Sequence, residues 1–143
     1  MKKYGLSALE KIKSRKDFEK IIIGGETTYS SDNRIRANYR LTTAPDNSRV
    51  MFAVAVGKKL GNAVWRNRVK RLVREAYRWN KVGLVEKCKT KNALLEIIFS
   101  PQALNQIKNR YIGLSDIEPP IKEIIAKLEE KIGSTVNGVK III

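Results

Sequence analysis

Apolar positions recur along this chain in two rhythms, one helical and one alternating. From Ser7 to Ile23, Leu9, Ile12, Phe18, Ile21 and Ile22 stand mostly at helical spacings, and Gly24-Gly25 follows as a stop. This predicts a short amphipathic helix. The polar stretch from Glu26 to Arg34 reads as a loop or a ragged edge strand. Ile35, Ala37, Tyr39 and Leu41 then alternate as in a half-buried strand. Ala44-Pro45-Asp46-Asn47-Ser48 predicts a turn. Val50 to Val56 is nearly all apolar, which predicts a strand covered on both faces and paired with the preceding strand as a hairpin.

Asn62 is a suitable N-cap for a long helix reaching about Asn80, and Lys81 to Asn92 reads as a polar loop. Ala93 to Phe99 predicts another strand, broken by Ser100-Pro101. A short helical turn is expected within Gln102 to Tyr111. Glu118-Pro119-Pro120 leads into Ile121, Ile124, Ile125, Leu128 and Ile132 at helical spacing, a terminal helix. The end from Gly133 carries Val139 and Ile141 to Ile143, and an added edge strand, a docked tail and disorder all remain open for it. The sum is an α+β fold: three helices with a small, mainly antiparallel sheet. Residues 1–132 form one domain and 133–143 a tail of unassigned role.

Charge changes the picture more than composition does. Lys and Arg number 29 against 14 Asp and Glu, a formal +15 with a pI near 10.1, which is the electrostatic footprint of a nucleic-acid binder. With no His and the single Cys88, the usual zinc ligands are missing and no internal disulfide can form. The N-terminus lacks the apolar run of a secretory signal, and no stretch approaches the roughly 20 apolar residues of a membrane span. A cytoplasmic setting is expected.

The basic residues concentrate between Gly57 and Lys81. Lys58, Lys59, Arg66, Arg68, Lys70, Arg71, Arg74, Arg78 and Lys81 stand there against the lone acid Glu75. On a wheel of about 100° per residue, Trp65, Val69, Leu72, Val73, Ala76 and Tyr77 share one face. Asn67, Lys70, Arg71, Arg74 and Arg78 occupy the opposite one, with Arg66 and Arg68 at the boundary. A merely solvated face would mix both signs, since like charges at i,i+4 repel. The acid-free series Arg66, Lys70, Arg74, Arg78 instead suits phosphate oxygens, which guanidinium forks can take bidentately.

The string from Gly57-Lys58-Lys59-Leu60-Gly61-Asn62-Ala63 through Trp65-Arg66-Asn67-Arg68-Val69-Lys70-Arg71 to Glu75 closely resembles the signature of bacterial ribonuclease P proteins. Ile12-Lys13-Ser14-Arg15-Lys16-Asp17-Phe18 with Gly25 resembles that family's first helix and its glycine, and about 120 residues fit the order of elements. The resemblance implies an α/β sandwich with a left-handed strand-helix-strand crossover, against the usual right-handed rule. It also implies a protein subunit that binds the catalytic RNA of the ribonucleoprotein and the 5′ leader of precursor tRNA. The RNA would carry the catalytic centre and hold the Mg²⁺, and the protein would bind no cofactor or metal of its own. No DNA or membrane partner is expected.

By that resemblance Lys58, Lys59, Asn62, Arg66, Asn67, Arg68, Lys70, Arg71, Arg74 and Arg78 face the catalytic RNA. Phe18, Ile22 and Tyr39 are the candidates for a cleft that takes the leader, where bases stack on aromatic rings. Ile22 departs from the family, which often has an aromatic there, and plain core packing is the competing reading of Phe18. Segment Gln102 to Glu118 is longer than the family's usual connection.

An autonomous nuclease would need a general base or several acids converging on metal. The aspartates Asp17, Asp32, Asp46 and Asp116 are isolated, so no catalytic residue is assigned. A ribosomal-type RNA-binding protein is the alternative, but it leaves the signature string unexplained. A helix-turn-helix protein lacks a partner helix before Asn62.

Overall fold

The structure, a computed structural model, describes residues 10–136 and 139–140. In chain order it forms α1 (Arg15–Gly24), β1 (Glu26–Tyr29), β2 (Ile35–Thr43), β3 (Arg49–Val54), α2 (Ala63–Asn80), α3 (Val82–Thr90), β4 (Ala93–Pro101) and α4 (Leu114–Gly133). A hairpin of β5 (Thr135–Val136) and β6 (Val139–Lys140) follows. The main sheet runs β1-β2-β4-β3. β1 and β4 are antiparallel to β2, and β3 is parallel to β4. α2, α3 and α4 cover one face, where Ile35, Ala37, Val50, Phe52, Leu95, Ile97 and Phe99 meet Val69, Val73, Tyr77, Ile121 and Ile124 in the main core. α1 covers part of the other face, with Ile12, Ile21 and Ile98 as a smaller core.

Several expectations change. β2 and β3 are not a hairpin, because β4 lies between them. β4 is the most deeply buried strand, and its parallel neighbour β3 requires the long crossover that α2 and α3 supply. The expected polar loop 81–92 contains α3: Leu84 and Cys88, four residues apart, are fully buried against the core, which brings the α-helices among the described residues to four rather than three. α1 begins at Arg15, not Ser7. Lys11 makes a parallel bridge to Phe52 and Ile12 N donates to Phe52 O (3.0 Å), so this stretch extends the β3 edge before the helix starts. Residues 7–9 of the expected helix lie outside the described residues.

α4 begins a full turn before its prolines. Asp116 Oδ2 accepts from Gly113 N (2.9 Å) at the helix start, and Pro119 and Pro120 sit inside the helix. Pro120 has no N–H for the carbonyl of Asp116 four residues back. Arg34 Nη1 donates to that carbonyl at 3.3 Å and so takes the missing partner's place. Between β4 and α4 the expected helical turn is a single closure, Asn109 N to Asn105 O (2.8 Å), without a helix. In the tail, β5 and β6 pair with each other and not with the main sheet; Ile141 to Ile143 lie outside the described residues.

Candidate nucleic-acid interface

Asn62 starts α2 as read from the sequence: its Oδ1 accepts from Trp65 N at 2.9 Å. The apolar face buries Trp65, Val69, Val73, Ala76 and Tyr77. Burial of each large side chain among these stabilises by roughly 1.5–3 kcal/mol, so the helix is held in one rotational setting. That setting turns Asn67, Arg68, Arg71 and Arg74 to solvent, with Arg66, Lys70 and Arg78 half-buried at the margins and Lys58, Lys59 and Asn62 exposed just ahead. None of the ten expected residues is buried.

They are not equally available. Arg66 Nε donates to Gly61 O (3.1 Å) and Arg68 Nε to Ile112 O (2.7 Å), bonds that fix the direction of each guanidinium. Arg78 is bound to Glu75 (2.7 Å) and lies 5.7 Å from the Trp79 ring centroid, so a protein carboxylate already balances its charge. The Trp79 Nε1 hydrogen bond, then the Arg78 bond and the charges of Arg78 and Arg71, hold the Glu75 carboxyl below its usual range. The open part of the stripe is thus Lys58, Lys59, Arg68, Lys70, Arg71 and Arg74.

The connection 102–113 is fastened over the start of this stripe. Gln106 N donates to Leu60 O (2.8 Å), Asn62 N donates to Gln106 Oε1 (2.8 Å), and Trp65 Nε1 donates to Asn109 O (2.9 Å). Gly61 is needed for this approach, since a Cβ there would lie 2.7 Å from the Trp65 ring and 3.0 Å from Gln106.

The three residues expected in a second cleft do not share a surface. Phe18, half-buried on α1, packs on Ile12, Ile21 and Ile98 with Met51, Ala53 and Ala55, and Ile22 is 56% exposed on the same helix. Tyr39 lies on the opposite sheet face and is 4% exposed. Its hydroxyl donates to Glu26 Oε2 (2.7 Å) and accepts from Lys131 Nζ (2.6 Å), and Lys131 also pairs with Glu26. Burial, then the Glu26 bond, raises the Tyr39 pKa against the opposing effect of Lys131. Tyr39 joins β1, β2 and α4 and is removed from the cleft candidates; one residue's alternation in a strand decides the face.

The same alternation shows what belongs beside Phe18. Register places Thr27, Tyr29, Arg36, Asn38, Arg40, Glu96 and Met51 on the α1 face. Tyr29 is 42% exposed opposite Arg36, and Arg40 faces a groove against α1 with Lys16, Lys20 and Ile23. Arg40 sits across from Glu96, whose carboxyl burial pushes up although Arg40 opposes it. The signal was present in the sequence as basic residues interleaved with Ile35, Ala37 and Tyr39, and it is carried by the half of the alternation that does not enter the core. Among the described residues no three acidic, Cys or His side chains come together as a metal-binding group. No described helix is long and apolar enough to cross a membrane.

A family model described as Ribonuclease P matches residues 6–110. The chain belongs to the ribonuclease P protein family. The ribonuclease P protein component of Clostridioides difficile (strain 630) is 32% identical over 118 residues, covering 82% of this chain and 90% of the relative. That of Macrococcus caseolyticus (strain JCSC5402) is 37% identical over 76 residues, covering 53% of this chain and 63% of the relative. In fold, the RNase P protein from Staphylococcus aureus superposes with a TM-score of 0.63 at 21% identity, covering 87% of this chain and 92% of that one. The RNase P protein from Thermotoga maritima gives 0.62 at 20% identity, covering 85% and 96%. At such identities these two show the fold of this family member and nothing finer.

Proposed function

We propose that this chain is the protein subunit of a bacterial ribonuclease P ribonucleoprotein, which removes the 5′ leader of precursor tRNA. The observation that carries the reading is the acid-free run of Arg68, Lys70, Arg71 and Arg74. A buried apolar face turns Arg68, Arg71 and Arg74 to solvent with Lys70 half-buried at their margin, within a family match that spans the signature string. Such a stripe meets the phosphates of the catalytic RNA, releases counterions and orients the subunit. The α1 face takes the leader: Phe18 and Ile22 with Tyr29 offer apolar and stacking contacts, and Arg36 and Arg40 neutralise the backbone. Catalysis and Mg²⁺ binding belong to the RNA, and the protein acts as its cofactor in the cytoplasm.

The test adds purified chain to a bacterial ribonuclease P RNA at low Mg²⁺ and follows 5′ cleavage of precursor tRNA. Stimulated cleavage at the mature 5′ end is expected, with none from the chain alone at any Mg²⁺ concentration. Failure to bind that RNA, or copurification with ribosomal RNA instead, would overturn the proposal. Cleavage by RNA-free protein would overturn the division of labour.

A further inference from the structure

Residues 102–113 contain no acid, and their outward side carries an unusual pair of features. Ile107 is 94% and Tyr111 is 84% exposed, and between them Lys108 and Arg110 are exposed as well. The Arg110 guanidinium lies 5.6 Å from the Tyr111 ring centroid, which steadies the ring from one side by cation–π attraction. The segment cannot be treated as a freely moving loop. Bonds to Leu60, Asn62, Trp65 and Arg68 fasten it to the start of α2, and the Arg68 bond is to Ile112, the residue after Tyr111.

A large apolar ring held open to water, flanked by cations and adjoining a phosphate-binding stripe, suits one kind of partner. An unpaired nucleotide offers a base to the ring and a phosphate to Arg110 or Lys108 together, whereas helical RNA offers no free base face. We infer that Tyr111, backed by Arg110, is a stacking platform for an unpaired base of the catalytic RNA, continuous with the phosphate contacts of α2. The inference rests on the reading of α2 proposed above. The family match ends at residue 110, so Tyr111 is not carried over from it.

The experiment measures binding of the full chain to a bacterial ribonuclease P RNA, without precursor tRNA, across a series of monovalent salt concentrations. Tyr111→Ala should weaken binding about 5- to 150-fold, the range for one base–aromatic stack, with the salt slope unchanged because every phosphate keeps its cation. Tyr111→Phe should bind within twofold of wild type. Chemical probing should show one unpaired base protected by wild type and not by Tyr111→Ala. Thermal unfolding should not move, given the exposure of the ring. Arg71→Ala is the reference for the underlying reading, and it should lower both affinity and slope. If Arg71→Ala is weakened but Tyr111→Ala binds like wild type, the platform is refuted and the stripe stands. Equal loss in Tyr111→Phe and Tyr111→Ala would refute stacking in favour of a hydroxyl contact. Wild-type behaviour of Arg71→Ala would overturn both readings.

Discussion

Asn62 is where stability and RNA contact make different demands on one side chain. Its Oδ1 caps α2 through Trp65 N at 2.9 Å, while its backbone N–H, which substitution leaves in place, is bonded to Gln106. Asn62→Ala removes the cap alone. Loss of an N-cap costs about 1 kcal/mol, within roughly 0.5–2. For 143 residues the entropy of unfolding at about 2.1 cal/mol/K per residue comes to roughly 0.3 kcal/mol/K. One kcal/mol therefore lowers Tm by about 3 °C. The protein stays folded at 25 °C, so affinity for the catalytic RNA should change by less than about twofold if capping is the whole role. Asn62→Asp keeps a capping oxygen and adds a charge suited to a helix N-terminus, so it should restore Tm while weakening RNA binding by repulsion. Circular dichroism melts and RNA titrations on the same samples check both. An unchanged Tm in Asn62→Ala together with a tenfold loss of RNA affinity would refute the capping argument and make Asn62 a direct contact.

Lys70→Ala or Arg74→Ala should lower the salt slope of affinity for the catalytic RNA by roughly 0.7–0.9 for each phosphate left without its cation, measured by titration at several salt concentrations; an unaltered slope means a solvated face. Phe18→Ala should weaken precursor binding in the holoenzyme by about 1–3 kcal/mol for each base stack removed while mature tRNA binds as before, with melts run alongside because Phe18 also packs on Ile12 and Ile21. Arg34→Ala should destabilise by about 0.5–1.5 kcal/mol, read by urea unfolding, because the part-buried Asp116 carbonyl that Pro120 leaves open loses its protein donor. Stability should begin to fall near pH 9. Burial pushes the Cys88 thiol up to about 12 and raises Tyr77 as well. Lys131 is also raised: burial lowers it, but the bonds to Glu26 and Tyr39 outweigh that. Each group holds its proton more tightly folded than unfolded, so stability is complete below the unfolded pKa of about 8.5 for Cys and falls as pH rises toward the folded value. A Cys88→Ala variant should show a shallower decline between pH 9 and 11, and an identical slope would sink the assignment.

The stripe on α2 was legible because every part of it is local. Helical spacing sorts Trp65, Val69, Val73 and Tyr77 from Lys70, Arg71 and Arg74 without reference to the rest of the chain, and Asn62 lies one residue before the helix it caps. α3 was missed because its support is not local. Val82, Leu84, Val85 and Cys88 stand beside Gly83 and among Glu86, Lys87 and Lys89, too short a run to declare a helix, and burial of Leu84 and Cys88 in the shared core makes it one. The prolines of α4 misplaced its start for the same reason, since Arg34, far away in sequence, supplies the donor that Pro120 lacks.

By itself the sequence determined the strands' inward residues, the helix that carries the charge, the sign of that charge and the family. These depend on periods of about two and 3.6 residues and on composition, all read within a short window. Tertiary structure alone decided that β4 enters between β2 and β3, that Tyr39 and Phe18 fall on opposite faces of the sheet, and that residues 102–113 are fastened beside the basic stripe. Those outcomes rest on pairings between residues 40 or more positions apart in β4 with β3, in the loop with α2 and in β2 with β4. Strand order and loop docking are chosen by which long-range contacts bury the most surface together, and no local spacing encodes that choice.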